Sequence, residues 1–176
     1  MRTRYKIFDT KTVYFITSSI VDWCEIFISQ KYFDILINAL SYKRTESNLK
    51  LYAYVFMKNH IHLIISCENI IKFVKEYKSY TAHEIIKQLK LENEIDTLEK
   101  FKLSKKSYKE DSNYQVWQEG FHPELIYSME IFRQKAEYIH NNPVLKGYVL
   151  KAEDWKYSSA SNYILGEGII EIDSPL

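Results

Sequence analysis

The feature that most constrains the fold is a pair of apolar segments in the middle of the chain. Residues 51–56 and 60–66 are rich in β-branched, aromatic and other apolar side chains, and only Met57, Lys58 and Asn59 separate them. A link this short joins antiparallel strands, because parallel strands need a crossover of a dozen or more residues. The sequence therefore predicts an antiparallel hairpin made of a second and a third strand.

Further strands are predicted on either side of this hairpin. Residues 12–20 are rich in β-branched and aromatic side chains and predict the first strand, and residues 113–118 predict a plausible fourth. Residues 92–111, the most charged and least periodic stretch, are expected to form an exposed extension.

Apolar residues at helical spacing predict the helices. One is expected to run from a capping Ser29 to about residue 44, and a long amphipathic one covers residues 70–89. A last helix begins at Ser128, and Pro143 is expected just beyond its end. The order predicts an α+β fold, a ferredoxin-like βαββαβ sandwich with an antiparallel sheet, helices on one face and an additional C-terminal helix.

Composition fits a globular protein without a global charge signature. The 176 residues suit one domain over residues 1–176, and 46% apolar with 27% charged residues excludes a disordered or fibrous chain. The net charge of +1 means that any nucleic-acid affinity must come from a local patch. Cys24 and Cys67 lack metal or disulfide spacing, and we find no signal peptide or membrane span, so we expect a cytoplasmic protein that binds no membrane.

His60 and His62 are the first candidate site residues. Side chains of a strand alternate between its faces, so both imidazoles project from the face opposite Ile61 and Leu63. Two neighbouring imidazoles on an apolar strand are costly to bury without a partner, and a divalent metal is one such partner. Partly exposed surface histidines, or core histidines bonded to the backbone, remain alternatives.

Tyr138 and Asn142 are the second candidates. They lie four residues apart on the last helix and therefore share one face, with Gln134 a turn earlier. Two imidazoles, one amide oxygen and no thiolate suit an exchangeable Mg²⁺ or Mn²⁺ better than a structural zinc. A core tyrosine and a helix-end asparagine are the alternatives.

These motifs together resemble a known family. His60-Ile61-His62 after Met57-Lys58-Asn59 is similar to the histidine strand of the HUH single-tyrosine transposases, which usually has a proline where Lys58 stands. Residues 138–147 resemble the "YI-x-x-NPV-x-x-G" block of their REP-associated tyrosine transposase branch. Three more blocks match in order, so that the resemblance covers about residues 12–163: Lys78-Ser79-Tyr80-Thr81, Val116-Trp117-Gln118 and Asp154-Trp155 with Tyr157-Ser158-Ser159.

The resemblance implies a single catalytic domain that cleaves and rejoins single-stranded or hairpin DNA. In that family pattern His60, His62 and Asn142 would hold the Mg²⁺ or Mn²⁺, and Tyr138 would be the nucleophile that forms a 5′-phosphotyrosine. His140 and Gln134 are weaker candidates to assist the tyrosine. The protein is expected to be a monomer or a homodimer, with the tyrosine acting in its own chain or in a partner.

The DNA-binding residues follow less directly. The candidates are basic residues of the N-terminus and the long helix, with one tryptophan that could stack on bases: Arg2, Arg4, Lys6, Lys72, Lys75, Lys78 and Trp117. Phe121 and Trp155 are further stacking candidates. Two alternatives to the strand transferase stay open: a non-catalytic nucleic-acid-binding domain with the same fold, and a metal-dependent hydrolase of a small phosphoester.

Overall fold

The computed structural model describes residues 12–108 and 112–175. Within these residues a four-stranded antiparallel sheet is formed by β1 (Val13–Ser19), β2 (Lys50–Phe56), β3 (His60–Ser66) and β4 (Glu124–Ile126). The spatial order is β2-β3-β1-β4, which places the first and third strands in the middle. This is the ferredoxin-like order, and the predicted fold class is confirmed.

Helices of the described chain connect and cover these strands. They are α1 (Gln30–Glu46), α2 (Ile70–Leu91), α3 (Ile95–Leu103), α4 (Met129–Leu145) and α5 (Ala160–Leu165). The Ser128 side chain accepts a hydrogen bond from the Ile131 amide at 3.2 Å, so the predicted cap of α4 is confirmed. Ser29 does precede α1, but its side chain makes no capping hydrogen bond.

Helices α1 and α2 pack on one face of the sheet. The predicted amphipathic character of α2 is confirmed, since its buried residues recur at helical spacing: Ile70, Phe73, Val74, Tyr77, Thr81, Ile85 and Leu89. They meet Ile61, Leu63 and Ile65 of β3 in the larger core. Strand alternation therefore turns His60 and His62 to the opposite face.

Helix α4 covers that opposite face. Its Phe132, Ala136 and Ile139 are buried against a second apolar cluster that includes Phe15 of β1 and Ile64 of β3. Both faces of the sheet are thus covered, and the side chains of α4 come to rest over the strand that carries the histidines.

Two local predictions are wrong. Residues 113–118 form no strand: Trp117 makes only an isolated bridge to Ile20, and the fourth strand lies later, at β4. The apolar composition of that stretch reflects burial, since Val116 and Trp117 enter the larger core. The described part of residues 92–111 is largely exposed, as expected, but it contains the unpredicted helix α3, which is anchored by the fully buried Phe101. Helix α4 continues through Pro143 to Leu145 instead of ending before the proline.

Candidate active site

The two histidines lie side by side beneath α4. Their ring centroids are 4.9 Å apart, and the side chains of His60 and His62 are 8% and 4% exposed. The antiparallel register pairs His62 with Thr17 of β1 and His60 with Ser19. Because these are neighbouring central strands, the histidines sit on a backbone that the sheet holds on both sides.

One nitrogen of each imidazole is already engaged. His62 Nδ1 lies 2.8 Å from Thr17 Oγ1, and His60 Nδ1 lies 2.6 Å from Asn59 Oδ1. These contacts orient the rings and direct Nε2 of each histidine away from the bonded side. His62 Nε2 is buried and has no hydrogen-bond partner among the described residues. A histidine fixed through Nδ1 with a free Nε2 is the arrangement that metal-binding histidines adopt in proteins.

Burial keeps both imidazoles neutral near pH 7. Burial, together with the charge of Lys146, lowers the pKa of His60 to about 4. Burial, the neighbouring His60 and the charge of Lys135 lower the pKa of His62 to about 3. A neutral imidazole offers a lone pair, so the environment favours the form that can coordinate a cation.

Helix α4 brings Tyr138 and Asn142 to the histidines of the same chain. The Tyr138 ring lies 5.2 Å from the His62 ring, centroid to centroid, and 47% of the tyrosine is exposed. Asn142 is 6% exposed, and its Nδ2 is buried without a hydrogen-bond partner in the described part of the chain. The four predicted residues line one pocket of about 480 Å³.

The imidazole nitrogens and the amide oxygen of these side chains are atoms that could bind a divalent cation. Residues 12–108 and 112–175 contain no cluster of three His, Cys, Asp or Glu side chains, so a third ligand beside His60 and His62 has to be something else. The Asn142 amide is that candidate, because rotation about its Cβ–Cγ bond can present the oxygen in place of the unpartnered nitrogen. Two imidazoles and an amide oxygen could together hold a divalent cation and leave its other coordination positions open.

Several pocket residues were not anticipated. Phe15, Thr17, Trp23, Glu124, Lys135 and Lys146 line the pocket as well. Lys135 lies three residues before Tyr138, and Lys146 lies four residues after Asn142, so helical spacing from those two candidates could have identified both lysines. Glu124 and Trp23 come from separate segments that only the folded topology brings to the site.

The weaker candidates for assisting the tyrosine lie elsewhere. His140 Nε2 is 2.8 Å from Ser159 Oγ, next to α5, and burial lowers its pKa to about 4. Gln134 is exposed and does not line the pocket. Neither side chain is placed to act on Tyr138 in this conformation.

The predicted DNA-binding residues are not gathered at the pocket. Arg2, Arg4 and Lys6 lie outside the described residues. Lys72, Lys75 and Lys78 are on α2, across the sheet from the histidines, and the Lys78 ammonium donates to the carbonyls of Gln118 and Gly120.

Trp117, the tryptophan predicted to stack on bases, lies in the core. Trp117 is 4% exposed, and its Nε1 donates to Thr81 Oγ1 at 3.0 Å, so it is a core side chain. Trp23 is 58% exposed and lies edge-on to His60 at 6.1 Å between ring centroids, so it adds an exposed aromatic ring to the pocket beside that of Tyr138. Phe121 lies away from the pocket, and the Nε1 of Trp155 donates to the Phe56 carbonyl.

The fold and the pocket define a class of domain: a ferredoxin-like sandwich whose central strand carries a His-x-His pair and whose added helix faces it with a tyrosine and an amide. No helix in the described ranges is long and apolar enough to cross a membrane. No family model matches the sequence.

Two comparisons with known proteins agree with the resemblance of the motifs. A Haemophilus influenzae protein, provisionally named a REP-associated tyrosine transposase, is 30% identical over 108 residues. The match spans 61% of this chain and 56% of that protein, little more than half its length. A solved REP-associated tyrosine transposase, bound to a REP hairpin, shares the fold with a TM-score of 0.69 at 18% identity, over 99% of this chain and 92% of that one. The similarity to REP-associated tyrosine transposases predicted from the sequence is thereby confirmed.

Proposed function

We propose that the protein cleaves and rejoins single-stranded or hairpin DNA through a covalent bond between Tyr138 and a 5′-phosphate. The observation that carries the proposal is the approach of Tyr138 to His62, at 5.2 Å between ring centroids. The same pocket holds His62 Nε2 and Asn142 Nδ2, which have no hydrogen-bond partner among the described residues. An exposed nucleophile beside unsatisfied ligand atoms is the arrangement that phosphoryl transfer needs.

The chemistry assigned to the chain is a transesterification. The Tyr138 phenol loses its proton to solvent, and the phenolate attacks phosphorus. The bond to the DNA 3′-oxygen breaks, that oxygen takes up a proton from solvent to become a hydroxyl, and the new phosphotyrosine bond conserves the energy of the broken one. A 3′-hydroxyl can then reverse the step and join strands without another energy source. His60, His62 and Asn142 would hold Mg²⁺ or Mn²⁺, whose role is to withdraw charge from a non-bridging phosphate oxygen.

Two observations support hairpin or single-stranded DNA as the substrate class: the ligand of the similar solved transposase and the surface of the pocket. The REP hairpin bound by the similar solved transposase supports hairpin DNA as the partner of this chain. Trp23 adds an exposed ring at the pocket, and aromatic rings stack on unpaired bases of any sequence. Tyr138 reaches the histidines of its own chain here, so the proposed reaction needs no second subunit; a monomer or a homodimer both accommodate it.

The test is cleavage of labelled hairpin DNA with single-stranded flanks in Mn²⁺. The wild-type protein should form a covalent adduct resistant to denaturing gel conditions, whereas Tyr138→Phe should form none because it lacks the phenolic oxygen. Tyr127→Phe is the matched control, since Tyr127 is 78% exposed and precedes α4. Equal cleavage by wild type and Tyr138→Phe would refute the tyrosine mechanism. DNA binding that survives EDTA, without cleavage or adduct in either protein, would replace the proposal with a non-catalytic DNA-binding domain.

A further inference from the structure

An ion pair at the pocket is not explained by the metal site or by the tyrosine. The Lys135 ammonium of α4 donates to Glu124 Oε2 of β4, and it lies 4.5 Å above the centroid of the Phe15 ring. Glu124 and Phe15 are cross-strand partners, so the carboxylate and the ring lie next to each other and both contact the lysine head group. The lysine head group is therefore positioned by two strands and its own helix.

The charges of the pocket are few. Glu124, Lys135 and Lys146 are the charged side chains that line it, because His60 and His62 are neutral. Lys135 lies near the middle of α4 and Lys146 directly follows its last residue, with Tyr138 between them in the sequence. Each lysine acts on the nearer histidine, Lys135 on His62 and Lys146 on His60. Once Glu124 is displaced, the pocket presents two cations and no anion.

Glu124 is the movable member of the pair. Its side chain is 56% exposed, whereas that of Lys135 is 24% exposed and rests on an aromatic ring. A carboxylate and a phosphodiester oxygen make the same kind of charge-assisted hydrogen bond to an ammonium group. An exposed carboxylate that leaves the lysine costs little, because surface ion pairs contribute only about 0–1 kcal/mol.

We propose that Lys135 binds a phosphodiester of the DNA strand that enters the pocket, and that Glu124 occupies this position in the free protein as an internal competitor. The proposal rests on the proposed function in one respect, that the ligand is a DNA strand. It gives the two members of one ion pair opposite effects: the lysine favours binding and the glutamate opposes it.

The experiment measures binding without catalysis. A fluorescein-labelled 20-nucleotide single strand of mixed sequence is titrated with Tyr138→Phe protein in EDTA at several salt concentrations, and Lys135→Met, Glu124→Gln and Lys31→Met are added to that protein. Lys31→Met is the matched control, since Lys31 is also ion-paired, to Glu92 at 2.8 Å, but does not line the pocket. Thermal unfolding of each variant checks that the fold is intact.

Lys135→Met should weaken binding by about tenfold and reduce the salt slope by about 0.7, the value for one single-strand phosphate contact. Glu124→Gln should tighten binding by about threefold, the effect of removing a weak competing ion pair. Lys31→Met should leave the salt slope unchanged. Changes of the same sign in Lys135→Met and Glu124→Gln, no change in either, or no measurable binding by the parent protein would overturn the proposal.

The outcome is separable from that of the proposed function. Opposite effects on binding, in a protein whose wild-type form makes no tyrosine adduct, would keep the phosphate site and reject the nuclease. A Tyr138-dependent adduct together with unchanged binding in Lys135→Met would do the reverse.

Discussion

The hydrogen bond between Thr17 and His62 offers the sharpest test of how the sheet prepares the site. Thr17→Val keeps the shape of the side chain but removes Oγ1, which lies 2.8 Å from His62 Nδ1. His62 is 4% exposed, so water cannot fully replace the lost partner, and the free energy of unfolding should fall by about 1–3 kcal/mol. Loss of an orienting partner of a metal-binding histidine typically reduces metal affinity by about 10–100-fold, which corresponds to about 1.4–2.7 kcal/mol.

Isothermal titration with MnCl₂ measures the affinity, and urea unfolding measures the stability. Ser18→Ala is the control, because Ser18 is the next residue of the same strand and its side chain points to the opposite face. Thr17→Val should bind Mn²⁺ at least tenfold more weakly than wild type, and Ser18→Ala should bind it equally. An unchanged Mn²⁺ affinity in Thr17→Val, together with a lower stability, would refute the reasoning and leave the hydrogen bond a purely structural one.

Three further changes test buried side chains of α4 and of the larger core. Ile139→Ala empties a fully buried position between α4 and the sheet and should lower the free energy of unfolding in urea by about 2–5 kcal/mol; a negligible loss would mean that α4 is held by other contacts. Trp117→Phe removes the donor to Thr81 and should cost about 1 kcal/mol without changing affinity for single-stranded DNA, whereas weaker DNA binding would contradict its place in the core. Burial lowers the pKa of His140 from 6.5 to about 4, so between these pH values the unfolded chain binds a proton that the folded chain does not. The contribution of the neutral His140 to the free energy of unfolding should be complete above about pH 6.5 and decline toward about pH 4. In urea titrations at successive pH values, His140→Gln should flatten the dependence of the free energy of unfolding on pH, and an identical dependence would count against this reasoning.

Local periodicity was sufficient to predict half of the candidate site. The alternation of strand side chains placed His60 and His62 on one face, and a spacing of four residues placed Tyr138 and Asn142 on one face of α4. Neither rule states that the two faces meet. That step came from the resemblance of the motifs, and physically it depends on α4 packing across β3 through Ile139 and its neighbours.

The remaining site residues depend on topology and could not be obtained from periodicity. Hydrophobic spacing shows which side of α2 is buried, but not which face of the sheet the helix covers. It therefore could not show that Lys72 and Lys75, which were predicted to bind DNA, lie across the sheet from the pocket. The residue type likewise shows that Trp117 suits either a buried core position or stacking on bases, without deciding between the two. Glu124 reaches the pocket because β4 pairs with β1, an interaction between segments more than a hundred residues apart.

The buried polar atoms of the pocket explain why this region should be a binding site and not simply a packed interface. Much of the sheet face under α4 is apolar, and apolar side chains at positions 62 and 142 would avoid His62 Nε2 and Asn142 Nδ2, which have no hydrogen-bond partner among the described residues. An unsatisfied buried polar group costs about 1–3 kcal/mol, so a ligand that partners these groups would gain a comparable free energy for each. The His62 lone pair suits a cation, and rotation of the Asn142 amide would turn its oxygen toward the same cation. The two atoms therefore favour a ligand-binding role for this part of the pocket over a purely packed interface.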